Sequence, residues 1–267
     1  MDLGLRDKCV LVFGGSAGIG RAAAQALAAE GAAVAIAARG GDRVATTVAE
    51  VRDATGSELI GIRCDLTEEG AAERAVAQTV HAFGGLDGLA ITTGLGMRGQ
   101  RDLLGAGDDD WLATFDDVLL STVRACRAAV PALVDRGGGS IVTTAAYSIR
   151  SPKPHQVPYG ALKSSVAVLT KNLAKSFGAQ GIRANCVCPG ATETDVLAAM
   201  RTHASAEHGW PHDEALERVM VEEWGMKVAL GRPGRPEELG DVIAFLLSER
   251  AGYLTGATVN VDGGTDF

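Results

Sequence analysis

The chain has 267 residues, 46% of them hydrophobic but only 4% aromatic, and a net charge of −8. That length fits one large domain or two small ones, and the acidic balance excludes a broad nucleic-acid footprint, which would be basic. No apolar run approaches the roughly 18 to 20 residues of a membrane span. The acids Asp2 and Asp7 in "MDLGLRDKCVLVFGG" do not fit the basic start of a signal peptide, so a cytoplasmic protein is expected.

Short apolar runs alternate with longer amphipathic segments. "CVLVFGG" (9–15) reads as a buried strand, and Ser16 to Glu30 as a helix. "AAVAIAAR" (32–39) is a second strand, followed by a helix at about 42–54; "LIGIRCDL" (59–66) is a third, followed by a helix at about 68–83. "LDGLAITTG" (86–94) is the fourth strand, and one long helical region covers about 108–135. "GSIVTTAA" (139–146), a helix at about 157–177, "IRANCVCPG" (182–190) and "ATVNVDGG" (257–264) complete the pattern. Strands alternating with helices imply βαβ units and a parallel sheet, and near-continuous apolar strands imply burial on both faces. The expected fold is therefore α/β, a single domain over 1–267 with helices on both faces of the sheet. One irregular region, 191–235, is rich in His, Trp and Met; so long a connection in a compact domain is usually functional. It is read as a substrate lid in which Met200, Trp210, Met220, Trp224 and Met226 build an apolar pocket.

Cys9, Cys64, Cys126, Cys186 and Cys188 are odd in number and widely scattered, which suits buried reduced thiols better than a disulfide framework. His203, His208 and His212 cluster loosely, but Pro211 interrupts the helical face between the last two, so no metal site is expected.

The first strand ends in "FGGSAGIGR", where Gly14, Gly18 and Gly20 follow the pattern G-x-x-x-G-x-G and open a helix. Glycines let backbone approach a ligand closely. The helix N-terminus offers unpaired N–H groups and a partial positive charge to a pyrophosphate. Gly14, Ser16, Ala17, Gly18, Ile19 and Gly20 are thus candidate dinucleotide contacts. An acid for a ribose 2′-hydroxyl is the usual feature about 20 residues on. This chain has "AARGG" there, and Arg39 suits a 2′-phosphate instead, so NADP(H) is preferred with NAD(H) still open. Asp65, with Leu66 beside it after the third strand, is placed to accept from an adenine amino group.

Tyr159 and Lys163 stand four apart in a predicted helix and so share a face. A free tyrosine, with pKa near 10, is a poor acid–base group at neutral pH; a neighbouring ammonium favours the phenolate and lowers that pKa.

Together the glycine turn 14–20, "CDLT" (64–67), Y-x-x-x-K at 159–163, "NCVCPG" (185–190) and "GRPEELGDVIAFLLSERAGYLTGATVNVDGG" (234–264) resemble the short-chain dehydrogenases/reductases, over nearly the whole chain. The resemblance implies a Rossmann-type doubly wound sheet of seven parallel strands in the order 3-2-1-4-5-6-7. It also implies a nicotinamide cofactor at the sheet's C-terminal edge and a homo-oligomer, a tetramer or a dimer. It makes Tyr159 the acid/base for a ketone–alcohol interconversion, with Lys163 holding ribose hydroxyls. It carries Thr92, Thr93 and Gly94, Pro189 and Gly190, and Thr192 and Thr194 over as cofactor contacts.

Several positions depart from the family pattern: Phe13 stands where a threonine usually begins the glycine turn, and "ITTG" (91–94) stands where the family has "N-N-A-G". The catalytic serine falls on Ala146, beside Ala145, and the asparagine that holds a relay water falls on Val118. Ser148, Tyr147 and Thr144 are the candidate replacements, with Ser148 preferred because "YSIRSPKP" is a proline-bounded loop entering the site. Losing one oxyanion donor costs an enzyme about 10²–10³ in rate, small beside the whole of enzymatic acceleration. A carbonyl reductase acting on a small-molecule, apolar carbonyl or alcohol substrate is expected, with a medium or large apolar ketone suggested by the lid. The alternatives are a non-redox lyase, isomerase or dehydratase on the same scaffold, and a weak or non-catalytic cofactor binder.

Overall fold

A computed structural model describes residues 2–95 and 97–265. Among these residues one sheet of seven strands runs in the order β3-β2-β1-β4-β5-β6-β7, and every pairing is parallel. The strands are β1 (Cys9–Phe13), β2 (Ala33–Ala38), β3 (Leu59–Arg63), β4 (Gly88–Ile91), β5 (Gly139–Thr144), β6 (Ile182–Pro189) and β7 (Thr258–Val261). The interior strand β1 is buried along its whole length. Its residues divide by parity: Leu11 and Phe13 join one hydrophobic cluster, Val10 and Val12 the other. That alternation covers both faces of the sheet, as a doubly wound arrangement requires.

Helices α1 (Gly18–Ala29), α2 (Gly41–Thr55) and α9 (Pro236–Leu247) carry the residues of the second cluster; α3 (Ala71–Phe83), α5 (Ser121–Asp135) and α6 (Val157–Phe177) carry those of the first. Small residues set the packing distance. A Cβ added at Gly240 of α9 would lie 2.6 Å from the main chain of Ala22 in α1, so the two helices meet almost backbone to backbone. The start of α9 is fixed by Pro236 in its first turn and by the Glu238 carboxylate, which accepts from the Arg235 N–H at 2.7 Å.

The strands stop earlier than the apolar runs suggest: β1 ends at Phe13, not at 15; β4 ends at Ile91, not at 94; β5 ends at Thr144, not at 146. The trimmed residues are those that leave the sheet to form the site. The long helix expected over 108–135 is broken into α4 (Asp108–Thr114), a π turn over Phe115–Leu120, and α5. Single π turns of this sort concentrate at functional sites because they re-aim side chains.

The 191–235 region folds into α7 (Asp195–His208), α8 (His212–Arg218) and a π turn over Val219–Glu223. The side chains expected to line an apolar pocket pack largely on one another. Met220 and Met226 are buried with Leu216, Tyr147 and Trp224, while Met200 and Trp210 pack on Ala204, Ala215 and Val219. The five expected side chains hold the helices together and do not line the cleft described below, to which the region contributes Val196 as its apolar residue. Arg201, buried at 7% exposure, joins the pieces: it pairs with Glu193 (2.7 Å) and Glu217 (3.0 Å) and donates to the carbonyls of His212 and Asp213.

The five cysteines are free and buried. Among the described residues no three His, Cys, Asp or Glu side chains gather into a metal site; His203 and His208 face Glu207 and Glu223. No helix among them is long and apolar enough to cross a membrane.

Candidate active site

A cleft of about 890 Å³ opens at the C-terminal ends of β1, β2, β3 and β4. This is the crevice where open parallel sheets bind ligands. Its wall contains Gly14, Ser16, Ala17, Gly18, Ile19 and Gly20 from the first turn, Arg39 after β2, Asp65 and Leu66 after β3, and Thr92, Thr93 and Gly94 after β4. Thr194, just before α7, closes it on the remaining side.

The glycine turn is built by close approach. A Cβ at Gly20 would fall 2.2 Å from the Gly14 carbonyl oxygen and 2.4 Å from Thr92 Oγ1. Gly14 itself lies at φ 82°, which side chains disfavour. The Thr92 hydroxyl donates to the Phe13 carbonyl at 2.9 Å, so it braces the turn. Thr93 Oγ1 differs: it is buried with no partner, an orphan beside the cleft of the kind a ligand satisfies. Backbone cradle, helix N-terminus and orphan hydroxyl together fit a dinucleotide.

Arg39 is exposed at the β2 end of the cleft, where its cation acts on Asp65. Burial works to raise the Asp65 carboxyl, but two hydrogen bonds from Thr67 (2.8 and 3.0 Å) and the Arg39 charge hold it below the ordinary carboxylate range. A second arginine, missed in the sequence, shares this wall: Arg43, in the first turn of α2. Arg98, Asp116, Asp117 and Ser121 also line the cleft and were not anticipated.

Tyr159 and Lys163 lie on one face of α6, whose first turn is set by Pro158. Lys163 is 2% exposed, and its Nζ donates to the carbonyls of Thr144 (2.9 Å) and Thr93 (3.4 Å). The ammonium stands 5.7 Å from the centroid of the Tyr159 ring. A Cβ at Gly94 would lie 3.5 Å from it, so it stands directly behind the cleft wall.

The expected lowering of the Tyr159 pKa does not occur among the protein groups. Burial, reinforced by Tyr147, Asp117 and Cys188, pushes the phenol above the ordinary tyrosine range. Burial also brings Lys163 down to about 8, against the pull of Cys186, Asp117 and Cys188. Desolvation is the largest cause of both shifts.

Ala145 and Ala146 are both buried and offer no donor. Ser148 sits on a 3₁₀ turn (Tyr147–Ile149) against Gly160 of α6, 1% exposed, and its hydroxyl has no partner. Thr144 Oγ1 is likewise buried and unpartnered. Tyr147 instead packs against Leu216, Met220 and Met226. Val118 is 1% exposed within the π turn and takes no part in the cleft, whereas its neighbour Asp117 lines it. Pro189 and Thr192 are buried at and after the end of β6. Neither they nor Gly190 line the cleft, and the Thr192 hydroxyl turns back to the Gly190 carbonyl at 3.2 Å.

Residues 14–266 match the family profile described as enoyl-(acyl carrier protein) reductase. The chain belongs to the short-chain dehydrogenase/reductase family. It is 33% identical to dehydrogenase/reductase SDR family member 4 of Oryctolagus cuniculus, over 97% of this chain and 94% of that one. It is 35% identical to the A-factor type gamma-butyrolactone 1′-reductase (1S-forming) of Streptomyces virginiae, over 97% and 96%. The crystal structure of L-sorbose reductase from Gluconobacter frateurii, complexed with NADPH and L-sorbose, superposes with a TM-score of 0.92 at 29% identity, covering 99% of this chain and 98% of that one. As a member of this family the protein is an oxidoreductase, and its reductase relatives support carbonyl reduction with a nicotinamide cofactor.

Proposed function

We propose that the protein reduces a small ketone to a secondary alcohol with NADPH, with Tyr159 as the proton donor. The observation that carries this is the anchored pair behind the cleft. Lys163 is fixed by two main-chain carbonyls with its charge 5.7 Å from the Tyr159 ring, next to the turn that cradles a dinucleotide.

Gly14 to Gly20 and the α1 N-terminus would hold the pyrophosphate, Arg39 and Arg43 a 2′-phosphate, and Asp65 and Leu66 the adenine; Thr93, Gly94 and Thr194 border the rest of the cleft. When bound, the nicotinamide supplies the hydride. The protein's own part is to hold the carbonyl oxygen and protonate it. Tyr159 gives its phenolic proton to that oxygen as charge develops there. Lys163 stabilises the phenolate left behind by its charge and positions it by its two carbonyl anchors. The buried, unpartnered Ser148 hydroxyl is the second donor to the same oxygen, replacing the side chain that Ala146 lacks. Two arginines at one end of the cleft, and NADPH in the complex of the L-sorbose reductase neighbour, favour the phosphorylated cofactor.

Self-association belongs to the same reading. Leu112 and Phe115 near α4 and Val168 on α6 are large apolar side chains left exposed on this chain. Light scattering of the purified protein tests it: a strictly monomeric species removes it.

The decisive experiment follows loss of NADPH absorbance against a panel of small ketones, in the wild type and Tyr159→Phe. Cofactor-dependent reduction abolished by the substitution supports the assignment. Product formed with no change in NADPH would point to non-redox acid–base chemistry on the same scaffold.

A further inference from the structure

The lid is tied across the cleft at its first helical residue. The Asp195 carboxylate, at the start of α7, pairs with the Arg43 guanidinium in the first turn of α2, and both residues line the cleft. Arg43 has a second anchor: its Nε donates to the Ser16 carbonyl of the glycine turn at 3.2 Å, where the Thr47 hydroxyl also donates. One edge of the guanidinium is thus fixed on the phosphate-binding turn and the other meets the lid. The contact beside it is tight, since a Cβ at Gly18 would stand 2.8 Å from the Thr194 methyl group. The lid therefore begins seated on the turn itself.

The strength of this tie matters. The two side chains are 56% and 70% exposed, and an exposed ion pair shifts an equilibrium by at most about fivefold. A phosphate monoester carries nearly twice the charge of a carboxylate and binds arginine through two parallel bonds. A phosphate arriving at this end of the cleft outcompetes Asp195.

We propose that Arg43 and Asp195 form an exchangeable latch: the 2′-phosphate of NADP(H) takes Arg43, alongside Arg39, and releases Asp195 and the first turn of α7, whereas NAD(H) leaves the latch closed. This rests on the NADP(H) reading above. Released Asp195 keeps a favourable place, because it sits in the first turn of a 14-residue helix whose N-terminus favours an acid. If the guanidinium bridges both anions instead, carboxylate and phosphate repel across it. In either geometry the Asp195 charge lowers the preference for the phosphorylated cofactor below what the two arginines alone would set. An acid on the lid is thus a specificity-determining residue for a group bound at the far end of the cofactor.

The test titrates full-length wild type, Asp195→Asn and Arg43→Met with adenosine 2′,5′-bisphosphate and with AMP by calorimetry, and follows amide exchange over 195–208. The wild type should bind the bisphosphate more tightly. Asp195→Asn should widen the affinity ratio about two- to fivefold, and Arg43→Met should narrow it about tenfold or more. Exchange in the first turn of α7 should rise with the bisphosphate but not with AMP, and should already be high in Asp195→Asn. An unchanged ratio in Asp195→Asn, or equal exchange under the two nucleotides, overturns the latch and leaves the NADP(H) reading standing. A wild type that does not distinguish the nucleotides overturns that reading, and the latch with it.

Discussion

Lys163 donates to the main-chain carbonyl of Thr144 at 2.9 Å, and so ties the middle of α6 to the last residue of β5. That bond fixes the amine two residues ahead of Ala146, where the family pattern would place a serine. The assigned pair can be tested directly. Tyr159→Phe should lower kcat about 10²–10⁴-fold, the range of a lost general acid, with cofactor affinity retained in a fluorescence titration. A rate within a factor of two of wild type removes Tyr159 from the reaction.

The missing donor gives a paired prediction. Ser148→Ala should reduce kcat about 10²-fold while KM changes little, the signature of an interaction made in the transition state. Ala146→Ser in that background should restore much of the loss. If Ser148→Ala is silent, the buried Thr144 hydroxyl becomes the next donor to remove.

Burial sets the pH dependence. Lys163 is brought down to about 8, so its charge fades above that pH, while the Tyr159 phenol stays protonated through neutrality. The kcat/KM for reduction should be level near neutral pH and fall above about pH 8; a rise between pH 8 and 10 contradicts the role given to Lys163. Stability follows the opposite course. The folded protein sheds this proton at about 8, below the ordinary value of 10.5, so the unfolded chain binds more protons between those limits. Stability from this group therefore increases with pH across that window. Chemical denaturation of wild type and Lys163→Met at pH 7 and pH 10 should show the wild type gaining ground at the higher pH.

Gly20→Ala should damage the turn before it damages chemistry. The new methyl would lie 2.2 Å from the Gly14 oxygen, and the nearest atoms include backbone that cannot swing away. A loss on the order of 3 kcal/mol in thermal or chemical unfolding is expected, with cofactor binding lost. Near-normal stability would mean the turn has another conformation.

Arg201→Met should loosen the lid without unfolding the sheet. It leaves the carboxylates of Glu193 and Glu217 and two carbonyls without their shared donor. Charged hydrogen bonds of this kind are worth about 1.5–3 kcal/mol each. Limited proteolysis within 195–223 should accelerate while the main unfolding transition moves little. Proteolysis at the wild-type rate would show that the apolar lid core alone holds the helices.

Much of the site was legible because chemistry and chain direction coincide in a parallel sheet. The ends of the first four apolar runs were candidate ligand positions, and the glycine turn, Arg39, Asp65 and Thr93 all fell there, on the wall of the cleft. The lid could not be read in the same way. Methionine and tryptophan at 200–226 signal burial but not what they are buried against, and they pack on one another. Asp117 was hidden because a π turn changes the direction of each side chain within it, and counting along a regular helix pointed to Val118 instead.

The sequence by itself determined a parallel α/β sheet, a glycine turn opening a helix and a tyrosine–lysine pair on one helix face, since these follow from periodicity, from glycine at fixed offsets and from i, i+4 geometry, while the doubly wound strand order came with the family resemblance. Only the tertiary structure decided that burial raises the tyrosine and lowers the lysine, that the Thr92 hydroxyl braces the turn while those of Thr93 and Ser148 stay unpartnered, and that Arg43 reaches Asp195 152 positions away. Desolvation and long-range pairing depend on what surrounds a group in space, and no local pattern along the chain encodes that surrounding.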